Sequence, residues 1–157
     1  MNFLILGDIV GLAGQNAIKI NLKKIIEKFK IDFTVANGEN SANDGMGITK
    51  EVAEMLFQNG VDVITSGNHI WDKKETAAFI KDEKRLLRPA NLPEDSPGKG
   101  YGIFKIKNQN YKVAVINLMG NVFMRKTEDV FQKAKDIEDK ILLKKNTDFL
   151  IVDFHGE

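Results

Sequence analysis

Apolar residues recur along this chain in two alternating rhythms: short unbroken runs, and stretches with a period near 3.6. "NFLIL" (Asn2 to Leu6) predicts a first strand. After it Ile18, Leu22, Ile25, Ile26 and Phe29 return at helical spacing, with Lys and Glu between them. "DFTVAN" (Asp32 to Asn37) predicts a second strand. Val52, Met55, Leu56 and Asn59 mark one side of a second helix, which Gly60 stops. "VDVITSG" (Val61 to Gly67) predicts a third strand, and Asp72 with Glu75 reads as a capping box opening a helix to about Lys81. Strand and helix in this order call for a parallel sheet with right-handed crossovers.

The middle of the chain changes character. "RPANLPEDSPGKGYG" holds all three prolines and reads as a loop crossing between parts of the fold. "YGIFKIKNQNYKVAVINL" then predicts a hairpin turning at Asn108-Gln109-Asn110. Val130, Ala134, Ile137 and Ile141 give a last helix, and "DFLIVDF" a last strand. With no repeat, low-complexity tract or clear boundary, residues 1–157 are expected to form a single α/β domain.

Composition narrows the partners. The 23 basic and 22 acidic residues nearly cancel, so no overall field recruits nucleic acid or an anionic membrane. Cysteine is absent, which excludes disulfides and thiolate metal sites. The N-terminal apolar run is short, lacks a basic flank and reaches Asp8 at once, so it reads as a strand and not a signal peptide. No later run is long enough to span a bilayer. A soluble cytoplasmic protein without a membrane partner is the expectation.

In parallel α/β sheets, ligands bind at the carboxyl ends of the strands, where loops converge. The strand ends here are Gly7-Asp8, "NGEN" (Asn37 to Asn40), "GNH" (Gly67 to His69) and "DFH" (Asp153 to His155). They bring Asp8, Glu39, Asn40, Asn68, His69 and His155 toward one rim. Carboxylate, amide and imidazole together suit iron, manganese or zinc. Each residue also has a plain structural reading: Asp8 as a helix cap, Asn37 and Asn40 as turn formers, a histidine as an ordinary packed residue. A dinucleotide site on "GDIVGLAG" is the weaker rival. Its glycines miss the Gly-x-Gly-x-x-Gly spacing, and Asp8 would repel a pyrophosphate.

"GDIVG", "NGENSANDGMGIT" and "SGNHIWD" together resemble the YmdB-like branch of calcineurin-type metallophosphoesterases, from Met1 to Glu157. The resemblance implies a metallophosphoesterase-like α/β/β/α sandwich. It also implies a centre of two divalent or trivalent metal ions, iron or manganese foremost, and hydrolysis of phosphodiesters such as 2′,3′-cAMP. By that resemblance Asp8 and Asn40 hold one ion, Asn68 and His155 the other, Glu39 bridges them, and His69 is the general acid. Val10 stands where the wider superfamily has the histidine of Asp-x-His, a feature this branch shares. Family members also carry two further histidine ligands in a Gly-His-x-His motif that this chain lacks, so it is expected to be the N-terminal part of a longer enzyme.

The implied chemistry suits these residue types. Two ions about 3.5–4 Å apart activate a water and clamp phosphoryl oxygens. Neutral amides bind without over-neutralising the ions, and an imidazole can protonate the leaving alkoxide at neutral pH. Arg88 and Lys99 could reach a phosphate, although solvated surface charge is the plainer reading. A cyclic nucleotide or an RNA-derived phosphodiester is the expected substrate, and a homo-oligomer the expected assembly. A non-catalytic RNA- or nucleotide-binding regulatory module is the alternative, with an inactive folded fragment as the third reading.

Overall fold

In the computed structural model, which describes residues 1–141 and 143–156, strand β2 (Phe33–Asn37) is buried along its whole length. Its neighbours explain why even Thr34 and Asn37 are buried there beside Phe33, Val35 and Ala36. It lies between β1 (Phe3–Asp8) and β3 (Val63–Thr65) in a three-stranded parallel sheet, with both faces covered. Helices α1 (Gly11–Phe29) and α2 (Lys50–Gln58) make the two crossovers. Their apolar stripes, through Ile18, Leu22, Val52 and Leu56, pack on the face that carries Ala36 and Ile64.

The helix ends follow local chemistry. Thr49 caps α2 by accepting a hydrogen bond from the Val52 N–H at 3.2 Å. Asn59 ends α2 by donating its side-chain amide to the Met55 carbonyl (2.8 Å), so it is a terminator and not part of the apolar stripe. Gly60 follows with φ +110°, a backbone conformation open to glycine.

The second sheet holds β4 (Tyr101–Lys105), β5 (Lys112–Met119) and β6 (Phe149–His155) in that order. β4 and β5 form the expected antiparallel hairpin, with Asn108 at φ +57° in its turn. β5 and β6 are parallel, connected through α4 (Val130–Ile141). Three apolar clusters then stack as layers. One lies between α1, α2 and the first sheet, one between the sheets (Phe33, Val35, Val63 against Val113 and Val115), and one between the second sheet and α4 (Ile116, Leu118, Ile137). The result is an α/β/β/α sandwich.

One side of the sandwich is stitched shut. The segment 85–88 pairs with Ile64 of the first sheet (Ile64 N to Arg85 O and Leu87 N to Ile64 O, both 2.8 Å) and then donates from Arg88 N to Lys99 O at 3.0 Å. On the other side β1 and β6 are the sheet edges, with the rings of Phe3 and Phe149 5.3 Å apart.

Two expectations are corrected here. The Asp72–Glu75 capping box does not form: the helix is one short turn, α3 (Thr76–Phe79), with no side-chain cap. Glu75 instead accepts from the Lys50 N–H (2.9 Å), and Asp72 turns toward His69. The third strand is shorter than its apolar run, because the Ser66 N–H leaves the ladder for the Asn117 side chain at 2.8 Å.

Candidate metal centre

Strand ends position the candidate residues. In β1 the pairing with β2 runs evenly from Phe3 to Leu6 and then skips Gly7, so that Asp8 faces Asn37 at the rim. After β2, the Asn37 side chain accepts from the Glu39 N–H (3.1 Å), a tight turn that carries Glu39 into the interior. Asp8 caps nothing: Val10 occupies the N-cap of α1 without a side-chain bond, which leaves the Asp8 carboxylate available.

Glu39 is 2% exposed, an unusual place for a carboxylate. Its Oε2 accepts from the His69 backbone N–H at 3.1 Å, and its Oε1 lies 3.1 Å from His155 Nε2. The same His155 nitrogen lies 2.9 Å from Asn68 Oδ1. Beside them, the Asn40 amide donates to Asp8 Oδ2 at 2.8 Å. Burial pushes the Glu39 carboxyl above its usual range. The His69 N–H and the nearby imidazoles pull it partway back, and Asp8 adds to the rise.

Close approach at this point depends on Gly67, where any Cβ would run into Glu39 Oε2 and His155 Nε2. The glycine keeps open the space in which those two donors meet.

The donor set fits a transition metal. Ligands sharing one ion at about 2.0–2.2 Å lie about 3 Å apart, which is the separation found for His155–Asn68 and His155–Glu39. Among the described residues, no three His, Asp or Glu side chains form a metal-binding group by themselves. A site here therefore needs the amide oxygens of Asn68 and Asn40, the latter presented by a half-turn of its amide. Thus Glu39, Asn68 and His155 come together, Asp8 and Asn40 form an adjacent pair, and His69 borders Glu39 through its backbone N–H.

The His69 ring adds a feature that sequence reasoning missed. Its Nδ1 lies 2.6 Å from Asp72 Oδ2, so Asp72 fixes the ring. The signal was the three-residue spacing from His69, which competed with the capping pattern on the same aspartate. Thr65 and Asp153, hydrogen-bonded across the two sheets, hold β6 against β3 just below the site and were likewise unforeseen. Arg88, read as solvated, is buried among the carbonyls of its own loop.

Two stacked sheets flanked by helices, with acid, amide and imidazole donors at the strand ends, give a metallophosphoesterase-type fold. The chain belongs to the YmdB-like protein family, whose model matches residues 4–157. Over its full 157 residues it is 43% identical to a Bacillus subtilis protein named 2′,3′-cyclic-nucleotide 2′-phosphodiesterase, and it spans 58% of that protein's length. Its structure is similar to that of a hypothetical protein from Thermus thermophilus (TM-score 0.89, 30% identity, all of this chain and 58% of that one). It is also similar to a protein described as a novel phosphatase from Mycoplasma pneumoniae (TM-score 0.86, 35% identity, 99% of this chain and 55% of that one). The chain thus spans a little over half the length of these relatives. Among the described residues no helix is long and apolar enough to cross a membrane.

Proposed function

We propose that the protein serves metal-dependent hydrolysis of phosphodiester bonds, with 2′,3′-cyclic nucleotides such as 2′,3′-cAMP as substrates and His69 as the general acid. One observation carries this reading: the cluster of buried Glu39 with Asn68 and His155 takes the backbone N–H of His69, whose ring is held at Nδ1 by Asp72. The name of the Bacillus subtilis relative supports the substrate class.

In this reading Asp8 and Asn40 would hold one ion, Asn68 and His155 another, and Glu39 would serve both. Bound there, such ions supply Lewis acidity at the phosphoryl group and activate a water for attack. The chain's own groups do the rest. Glu39, in its dry position, presents charge that solvent does not screen. His69, gripped at Nδ1 by Asp72, gives the proton on Nε2 to the departing ribose oxygen as the phosphorus–oxygen bond breaks. Asp72 holds the ring in place.

The test compares two chains after loading with Mn²⁺ or Fe²⁺: this one, and this one extended by the remaining part of the Bacillus subtilis relative. Ring opening of 2′,3′-cAMP is followed by chromatography alongside metal content. Turnover by the extended chain that depends on metal and on His69 supports the proposal. Tight nucleotide binding by both chains with no turnover would favour the regulatory-module reading instead.

A further inference from the structure

On the far edge of the second sheet from His155, between β4 and α4, lies a cavity of about 660 Å³. None of the metal-centre residues lines it. Six cations do, namely Lys84, Arg85, Arg88, Lys99, Lys133 and Lys140, against one carboxylate, Glu94.

Two of the six are already engaged. Arg85 makes a two-pronged pair with Glu83 (3.0 and 2.8 Å), and Lys133 pairs with Glu128 at 2.6 Å. Among the described residues, Lys84, Lys99 and Lys140 have no carboxylate within 4.0 Å.

Arg88 is the unusual member. It is 6% exposed, yet its guanidinium meets only the carbonyl oxygens of its own loop, Pro89 at 2.8 Å and Ser96 at 3.4 Å. Its Nε has no hydrogen-bond partner, and no carboxylate comes within ion-pairing distance among the described residues. A buried cation without a counter-ion is a costly arrangement that an anion in the adjoining cavity relieves. Asp95 and Glu128 act on it only from a distance.

We propose that this cleft is a second binding site, for a phosphate-bearing ligand of nucleotide size, with the charge of Arg88 behind it and Lys84, Lys99 and Lys140 around it. Cations on several walls match an anion with several charges, which a phosphate offers and a single carboxylate does not. The volume lies in the range of small-molecule sites. Tyr101, half-buried in the lining, offers an aromatic surface to a base. The site is separate from the metal centre and stands whether or not the hydrolytic reading does.

The test is calorimetric titration of this chain with ADP and with inorganic pyrophosphate, at fixed ionic strength and with EDTA present, so that metal cannot recruit either probe. Saturable binding is expected. Lys99→Glu and Lys140→Glu should each weaken it about tenfold or more, whereas Lys23→Glu, on the exposed side of α1, should leave it unchanged. These positions are exposed, so folding does not confound the result as it would for Arg88→Met. Tighter binding of ADP than of pyrophosphate identifies a nucleotide, and equal binding identifies the phosphates alone as the recognised group. Failure of both probes to bind would overturn the proposal. So would a loss with Lys23→Glu as large as with Lys99→Glu, or abolition of binding by Glu39→Gln.

Discussion

His155 Nε2 lies 3.1 Å from Glu39 Oε1, and in that contact the last strand of one sheet meets the turn that follows the central strand of the other. The candidate centre is therefore built across the sandwich. Asn117, on β5 of the second sheet, receives the Ser66 N–H of the first at 2.8 Å and fixes the two sheets at the same level.

Gly67 should be sensitive to the smallest substitution. Gly67→Ala puts a methyl group where Glu39 and His155 meet. We expect about 1–3 kcal/mol of destabilisation from overpacking, together with loss of bound Mn²⁺. Urea denaturation and elemental analysis after dialysis report the two effects. A folded Gly67→Ala chain with undiminished metal would show that this contact does not shape the site.

In the extended, metal-loaded protein, His69→Ala should lower kcat by roughly 10²–10⁴-fold with nearly unchanged metal content. Glu39→Ala should lose metal and activity together. Asp72→Asn should lower kcat more than it changes KM, because it alters the ring's grip at Nδ1 and not a binding contact. Emptying of the site by His69→Ala would make His69 a ligand, contrary to the assignment.

Glu83 and Arg85 set a pH dependence. Burial raises the Glu83 carboxyl, but hydrogen bonds from the Arg85 side chain and backbone, with its charge, outweigh that and hold it below its ordinary value of 4.5. A carboxyl depressed in the folded state contributes stability above its unfolded pKa and loses it as pH falls through the folded one. The stability difference between wild type and Arg85→Met should thus be present at neutral pH and shrink below about pH 4.5. Its size should be no more than about 1 kcal/mol, since the pair is partly exposed. Parallel urea titrations across pH measure it, and a difference that grows on acidification would reverse the assigned sign.

Asn91 pins the end of β5 beside the site. Its side chain donates to Met119 O (2.7 Å) and to Thr127 Oγ1 (2.7 Å), and accepts from Met119 N at 3.0 Å. Asn91→Ala leaves a buried N–H and carbonyl unmatched, a loss of about 1–3 kcal/mol for each group. Asn91→Asp should not rescue, because a carboxylate cannot donate to the Met119 carbonyl. Thermal denaturation of the three chains decides the point, and full stability of Asn91→Asp would contradict it.

The outer face of β6 carries Leu150, Val152 and Phe154, all exposed, on a strand paired on one edge alone among the described residues. Apolar strand edges recruit other chains, so this chain should self-associate, and Val152→Lys should reduce that. Light scattering over a concentration series measures the change. A wild-type chain that stays monomeric throughout would count against the expected oligomer.

Much of the architecture was legible along the chain because it depends on local periodicity. The short β-prone run at β2, the helical stripe from Ile18 to Phe29, the Asn108 turn and the Gly60 stop all mark their elements without reference to distant residues. The three motifs likewise marked the family, and strand ends pointed to Asp8, Glu39, Asn40, Asn68, His69 and His155. What sequence could not decide was which partner a polar group would choose. Asp72 had two local options, a helix cap or the His69 ring, and only packing selected the ring. Arg88 reads as a surface cation until segment 85–88 is seen stitching the two sheets together, which buries it. Gly67 is one glycine among many until His155 arrives from the other sheet. Periodicity is a property of neighbouring residues, whereas burial, close approach and ion pairing depend on residues far apart in the chain, and those meet only in the folded sandwich.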